Sequence, residues 1–280
     1  MDICVLASGS SGNATYVSTD KTRLLIDCGL VAKEIVRRLA ELGVDPAKLD
    51  GILITHAHSD HYKAAGTIQA KYGVPVFTEW ATITAIRAFG NPGSFGRVTD
   101  CRPIPESIGD IAIEAFAVPH GATGAAGGPV GFVLKHGGKK VCLATDLGRV
   151  TAAAMEALRG SDVIILEANY HEPIIRWKLK DRKFARDRDY LTWVLSNRGH
   201  LSNVQCGEAL AEALTERTAH VFLAHMSENH SIPEQDNNRY DIALDEVMRI
   251  LKEKDVPPPN FQRTYRRGRT EGRRSECVSI

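Results

Sequence analysis

Short apolar runs recur along the chain, and most stop at a polar cluster. They are ICVLAS at 3–8, ATYVST at 14–19, RLLIDCG at 23–29, GILITHAH at 51–58, VPVFT at 74–78, IAIEAFAVPH at 111–120, VGFVLK at 130–135, KVCLATD at 140–146, DVIILEAN at 162–169 and HVFLAH at 220–225. Each has strand length, and several do not alternate, which predicts strands buried on both faces. Helical periodicity separates several of them, over 31–42, 63–72, 80–89 and 151–159, each closed by a glycine, and over 203–216 and 234–252. HGGKK at 136–140 is a hairpin turn. Strands in hairpins first, then strands alternating with helices, predict a layered α/β protein with mixed sheets. DVPPPN at 255–260 stops the last helix, so the reading divides the chain into a domain over 1–255 and a Pro/Arg-rich tail over 256–280.

Composition changes this picture little. With 280 residues, 43% hydrophobic and 25% charged, the chain can bury one large core. No apolar run is long enough to span a bilayer, and the opening MDICVLASGSSGN lacks a basic leader region, so the expected location is the cytoplasm. Six cysteines are scattered without CxxC spacing, and Cys4 and Cys142 fall in strand-like runs. This predicts buried reduced thiols rather than a disulfide framework. Net charge is +1, but RWKLKDRKFARDR at 176–188 holds seven basic residues against two aspartates, and RTYRRGRTEGRR at 263–274 holds six arginines against one glutamate. Two such runs on a balanced chain suggest a surface that faces phosphates.

The candidate chemistry begins in ILITHAHSDHY, where His56, His58, Asp60 and His61 follow directly on a strand. A strand end fixes the backbone, and the turn after it can aim several side chains at one point. Imidazole and carboxylate are ligands for borderline and hard divalent metals. His120, Asp146 and His225 then follow later apolar runs, so several strands would deliver ligands to one edge of a sheet.

This pattern resembles the metallo-β-lactamase fold superfamily: HxHxDH after a strand, then single His, Asp and His residues at later strand ends. Asp27 in LLIDCG matches its early aspartate. The resemblance implies a four-layer αββα sandwich with two divalent ions, Zn2+ or Mn2+, on one edge. His56, His58 and His120 would hold one ion, Asp60, His61 and His225 the other, Asp146 would bridge them, and Asp27 would orient the motif by hydrogen bonds. Two divalent cations facing two carboxylates and five neutral imidazoles carry a net charge of about +2, which calls for an anionic substrate. Such a pair supplies an activated water with a pKa of about 7.

Phosphodiester hydrolysis also needs a proton for the departing oxygen. Phosphodiesterases of the superfamily pair an extra histidine with an acid, and Glu167 and His200, in NRGHLSN, occupy the matching places. The acid would fix the imidazole tautomer and keep it available as a donor. His200, Glu167 and Asp60 are therefore the expected catalytic groups. Only 32 residues separate Glu167 from His200, too few for a β-CASP cap domain. With LASGSSGN, LEANY, RGHLSN and LAHMSENH, the chain is similar to the WalJ/YycJ-type exonuclease branch. That resemblance implies 5′ to 3′ exonucleolytic hydrolysis of double-stranded DNA in processing or repair, with DNA favoured over RNA as partner and no membrane. A small phosphodiester or an RNA is the alternative substrate; a thioester or lactam hydrolase, or a metal-stabilised binding module, is a weaker reading.

Candidate substrate contacts are Ser8, Ser10, Ser11 and Asn13 in the glycine- and serine-rich turn, Arg176 and Lys178 in the basic run, and Ser202 and Asn203 beside His200. Ser202 or Asn203 can equally cap the following helix, and Trp177, Tyr170 and Trp193 could stack bases or simply cover the core. One departure stands out. The family commonly has an acidic residue after the histidine of PH, whereas here Gly121 opens the loop GATGAAGGPVG.

Overall fold

A computed structural model describes residues 1–89, 98–121, 126–227, 239–264 and 277–280. The strands are β1 (Asp2–Ala7), β2 (Ala14–Ser18), β3 (Arg23–Ile26), β4 (Gly51–Leu53), β5 (Val76–Phe77), β6 (Cys101–Arg102), β7 (Ser107–Ile108), β8 (Ile111–Ala117), β9 (Val130–His136), β10 (Lys139–Ala144), β11 (Val163–Glu167), β12 (His220–Ala224), β13 (Asn260–Gln262) and β14 (Cys277–Ser279). They form two seven-stranded sheets, ordered β14-β1-β2-β3-β4-β5-β6 and β13-β12-β11-β10-β9-β8-β7. Each sheet is built alike: its antiparallel hairpins pass into a parallel array, β3-β4-β5-β6 in one and β10-β11-β12-β13 in the other.

The helices are α1 (Ala32–Glu41), α2 (Ser59–Tyr62), α3 (Ala65–Tyr72), α4 (Trp80–Phe89), α5 (Ala152–Leu158), α6 (Glu172–Lys180), α7 (Arg188–Val194), α8 (Asn203–Ala213) and α9 (Arg239–Glu253). Burial defines the layers. Ile3, Val5, Leu24 and Leu53 of one sheet meet Phe132, Leu143, Ile165 and Phe222 of the other in a shared core. The outer face of the first sheet packs on Ile35 and Leu39 of α1 and Ile68 of α3, and that of the second on Leu158 of α5, Leu210 of α8 and Val247 of α9. This is the expected four-layer αββα sandwich. Both faces of the central strands are covered, which is why their sequences run apolar without alternating.

Two sequence expectations are corrected. The segment over 256–280 is not separate from the sandwich, because Asn260–Gln262 and Cys277–Ser279 are the outermost strands of the two sheets. The chain ends also meet, the Met1 amine donating to the Ile280 carbonyl at 2.8 Å. The second correction follows from the first: Cys28, Cys142 and Cys206 are buried free thiols as expected, but Cys4 is joined in a disulfide to Cys277, its partner across β1 and β14. A pairing 273 residues apart leaves no spacing signal to read. The basic run is largely helical, in α6, a 3₁₀ turn at Arg182–Asp187 and the start of α7. The arginines at 266–274 and residues 234–238 lie outside the described residues. Among the described residues, no helix is long and apolar enough to cross a membrane.

The strands β3, β4, β8, β10, β11 and β12 deliver the expected site residues to one edge. β3 runs parallel to β4, and β10 to β11 and β12, while β8 shares the direction of β10 through the antiparallel β9. Their C-terminal ends therefore open on the same side, where open α/β sheets bind ligands.

Candidate metal centre and hydrolytic site

The backbone at this edge is bent into place. Asp27, Asp146 and His225 each follow a strand and adopt left-handed backbone, with φ of 60°, 55° and 52°. This region is costly for residues with a Cβ and persists where the surroundings enforce it. Gly29 is required by close approach, since a Cβ there would fall 1.6 Å from the Asp60 carbonyl oxygen, which sits under the HxHxDH turn.

Two groups of donor atoms converge. His56 Nε2 lies 2.9 Å from His58 Nδ1, which lies 3.2 Å from His120 Nε2. Beside them, Asp60 Oδ2 is 3.6 Å from both His61 Nε2 and His225 Nε2. Asp146 stands between the groups, 3.4 Å from His120 Nε2, 3.1 Å from His61 Nε2 and 3.4 Å from His225 Nε2. His56, His58 and His120, and separately Asp60, His61 and His225, are each compact enough to hold one ion. Asp146 Oδ2 and His225 Nε2 are buried without a hydrogen-bond partner among the described residues. Buried polar atoms are seldom left unpaired, and here they are the nitrogen and oxygen donors that a divalent cation takes. The site can therefore bind metal.

Electrostatics agree with that fit. Burial, reinforced by His61, pushes His56 well below the ordinary imidazole range, and burial takes His120 down to about 4. These rings stay neutral, with lone pairs to give. Burial opposes charge on His61 and His225 too, but Asp27 and Asp146 beside the first, and Asp146, Asp60 and Glu167 beside the second, outweigh it. They hold His61 well above its usual value and raise His225 to about 10. The pocket attracts positive charge.

The surrounding hydrogen bonds fix which nitrogen is offered. Asp27 takes His61 Nδ1 at 2.7 Å and the amide and hydroxyl of Thr55, and Thr55 Oγ1 also meets His56 Nδ1 at 3.0 Å. His120 Nδ1 donates to the Gly199 carbonyl at 2.8 Å. Asn169 Nδ2 binds the His225 carbonyl at 2.7 Å. Thr55 and Asn169 are absent from the sequence reading; Thr55 adjoins His56, which it supports, and Asn169 lies two residues after Glu167 and supports His225. Glu167 Oε1 lies 2.7 Å from His200 Nδ1 and 3.0 Å from His225 Nδ1, while Oε2 accepts from the Leu147 and Leu201 amides. Burial opposes its ionisation, but His200 beside it holds the carboxyl below its usual value.

The expected substrate contacts fare differently. Ser8 Oγ accepts from the His225 amide at 2.6 Å, and Asn13 is bound to Gly9 with Nδ2 3.1 Å from His61 Nε2. Both are buried and support the ligands. Ser10 is exposed, and Ser11 Oγ is buried without a hydrogen-bond partner among the described residues. Lys178 is buried with Nζ 5.0 Å over Phe184, because α6 turns it inward, so it does not present to a phosphate. Arg176 is exposed and paired with Glu172. Ser202 spends its hydroxyl on a capping box with Gln205, and Asn203 is buried in the first turn of α8. Gly121 has φ of 73°, and a Cβ there would meet Ala126 Cβ at 2.7 Å, so the acidic residue common at this place has no room. Residues 122–125 of its loop lie outside the described residues.

Comparison with known proteins agrees with this geometry. The family model for the beta-lactamase superfamily domain matches residues 22–226. The chain is 33% identical over 258 residues to exodeoxyribonuclease YycJ of Bacillus anthracis, covering 89% of each chain. It is 35% identical over 238 residues to exodeoxyribonuclease WalJ of Streptococcus pneumoniae serotype 2, covering 82% of this chain and 83% of the other. The structure of zinc-bound PqqB from Methylobacterium extorquens superposes with a TM-score of 0.65 at 12% identity, covering all of both chains. The chain thus belongs to the beta-lactamase superfamily domain family and is a metallo-β-lactamase-fold hydrolase.

Proposed function

We propose that the protein is a metal-dependent phosphodiesterase that shortens DNA from an end. The observation that carries this is the Glu167–His200 pair. It stands at 2.7 Å beside two donor clusters, with the His200 ring 5.0 Å from that of His120 and 5.2 Å from that of His225. A thiolate departing from a thioester needs no proton donor, whereas a departing sugar oxygen does. The names of the YycJ and WalJ relatives support DNA as the polymer.

In this reading His56, His58 and His120 would hold one cation, Asp60, His61 and His225 the other, and Asp146 would serve both. When bound, two divalent cations, zinc or manganese, supply an activated water and neutralise charge on the phosphoryl oxygens. The remaining work belongs to the chain. Thr55 and Asp27 keep the rings of His56 and His61 turned so that Nε2 is offered. Glu167 takes His200 Nδ1, which leaves Nε2 to give a proton to the leaving oxygen. The Leu147 and Leu201 amides hold the Glu167 carboxylate in place for that task, and His200 beside it keeps the carboxylate ionised.

The test is incubation of metal-reconstituted protein with end-labelled DNA and RNA, with manganese and with zinc, read as product ladders. Progressive shortening of DNA is expected. Shortening of RNA alone would change the polymer, and hydrolysis of small diesters alone would remove the nuclease reading. Failure to cut any diester while two ions are held would end the proposal.

A further inference from the structure

The segment leading from the basic helices to His200 carries two rings and an arginine that the ligand cluster does not use. Trp193 of α7 lies 5.3 Å, edge to face, from the His200 ring and 5.7 Å from that of His120. Its neighbour Tyr190, one turn earlier, is 5.8 Å away and tilted by 31°. An aromatic pair at this spacing on a helix is ordinarily core, but Tyr190 is 43% exposed. Its ring packs on Trp193, which itself packs on His200 and His120, so the Tyr190–Trp193 pair lies at the rim of the donor cluster. By contrast Tyr170 is buried, and the exposed Trp177 is covered by Lys183 at 4.9 Å and packs on Phe184.

Arg198 completes the rim. Its Nε donates to the Gly121 carbonyl at 3.0 Å, and the Gly121 amide donates to the Arg198 carbonyl at 2.9 Å. Gly121 directly follows His120, and a Cβ there would stand 3.7 Å from His58 Nε2. The guanidinium is therefore anchored next to the first donor group. It is exposed and forms no ion pair among the described residues.

A flat exposed ring beside the cluster, and an anchored guanidinium across the same loop, match the two parts of a nucleotide. Aromatic faces take any base by stacking, and arginine takes a phosphate through paired N–H groups. We propose that Tyr190, backed by Trp193, stacks a base next to the scissile bond and that Arg198 binds a neighbouring phosphate. The substrate end would therefore enter with its base unpaired. The proposal rests on the phosphodiesterase reading and adds what the site recognises.

The experiment compares binding of a labelled, phosphorothioate-linked hexathymidylate, chosen to slow hydrolysis, with that of the same hexamer lacking its bases, both to zinc-loaded protein. The bases are expected to tighten binding about 5- to 150-fold. Tyr190→Ala should reduce that ratio to less than about twofold, and Tyr190→Phe should restore it. Tyr190→Leu, which keeps apolar bulk without a flat face, should behave as alanine does, and this separates stacking from packing should the alanine variant lose stability. Arg198→Ala should weaken both hexamers alike and flatten the salt dependence by about one phosphate. Equal binding of the two hexamers by the wild-type protein, or a base preference that survives Tyr190→Leu, would overturn the inference. A preserved base preference without hydrolysis of any diester would sink the phosphodiesterase reading alone.

Discussion

The strand β11 has a carboxylate at each end, and the two behave differently. Asp162, just before the strand, is buried with both oxygens engaged: the Lys140 amide at 2.8 Å, Arg217 Nε and Nη2 at 3.0 and 2.9 Å, and Lys139 Nζ at 3.4 Å. Burial opposes its charge, yet the Lys140 amide and Arg217 hold the carboxyl below its usual value. Glu167, five residues on, borders Asp146 and His225, which sit in left-handed backbone and keep buried atoms unpaired. One edge of the sheet spends its charge on holding strands together. The other keeps polar atoms unsatisfied at a cost in stability, which makes sense only if a ligand satisfies them.

The largest expected effect breaks the ligand edge alone. Saturating zinc should stabilise the wild-type protein by about 3–4 kcal/mol at 100–1,000 times the dissociation constant. Asp146→Asn should abolish that gain in thermal unfolding and lower metal affinity by more than about 100-fold, whereas Asp162→Ala should retain the gain in full. Next, His200→Ala is expected to lower turnover by about 10²- to 10⁴-fold with metal content unchanged, as read by elemental analysis beside the kinetics. Loss of metal in that variant would make His200 a ligand rather than a proton donor.

The opposite edge should respond in stability. Asp162→Ala is expected to cost about 2–3 kcal/mol in denaturant unfolding, with turnover per folded molecule preserved. Its pH dependence has a fixed sign. Because the folded value lies below the unfolded value of about 3.9, the wild-type advantage is complete above that pH and fades as pH falls through the depressed folded value. An advantage that instead grew on acidification would refute the assignment. The smallest effect is Ser202→Ala, about 1 kcal/mol from the α8 cap, without change in the proton donor's pH profile.

Much of this site is legible in the chain itself. His56, His58, Asp60 and His61 sit within six residues, and a strand end aims them with no help from distant sequence. The apolar runs likewise announce strands buried on both faces, and His120, Asp146, Glu167 and His225 are noticeable because each ends one. Thr55 and Asn169 escape notice because a hydroxyl or amide beside a motif looks like any other polar residue until its partners are known. Lys178 misleads for the opposite reason, since a basic run says nothing of which helix face is turned inward.

The sequence by itself determined the secondary-structure alternation, the layered α/β class with mixed sheets and the donor types, because these depend on local periodicity and on chemistry carried within a few residues; the four-layer sandwich was implied by the family resemblance. Only the tertiary structure decided that Asp146 stands between the two donor groups, that Ser8 reaches across to the His225 amide, and that Cys4 meets Cys277. Those relations join segments far apart along the chain. They are fixed by which strands lie side by side, a choice made by the shared core rather than by any local pattern.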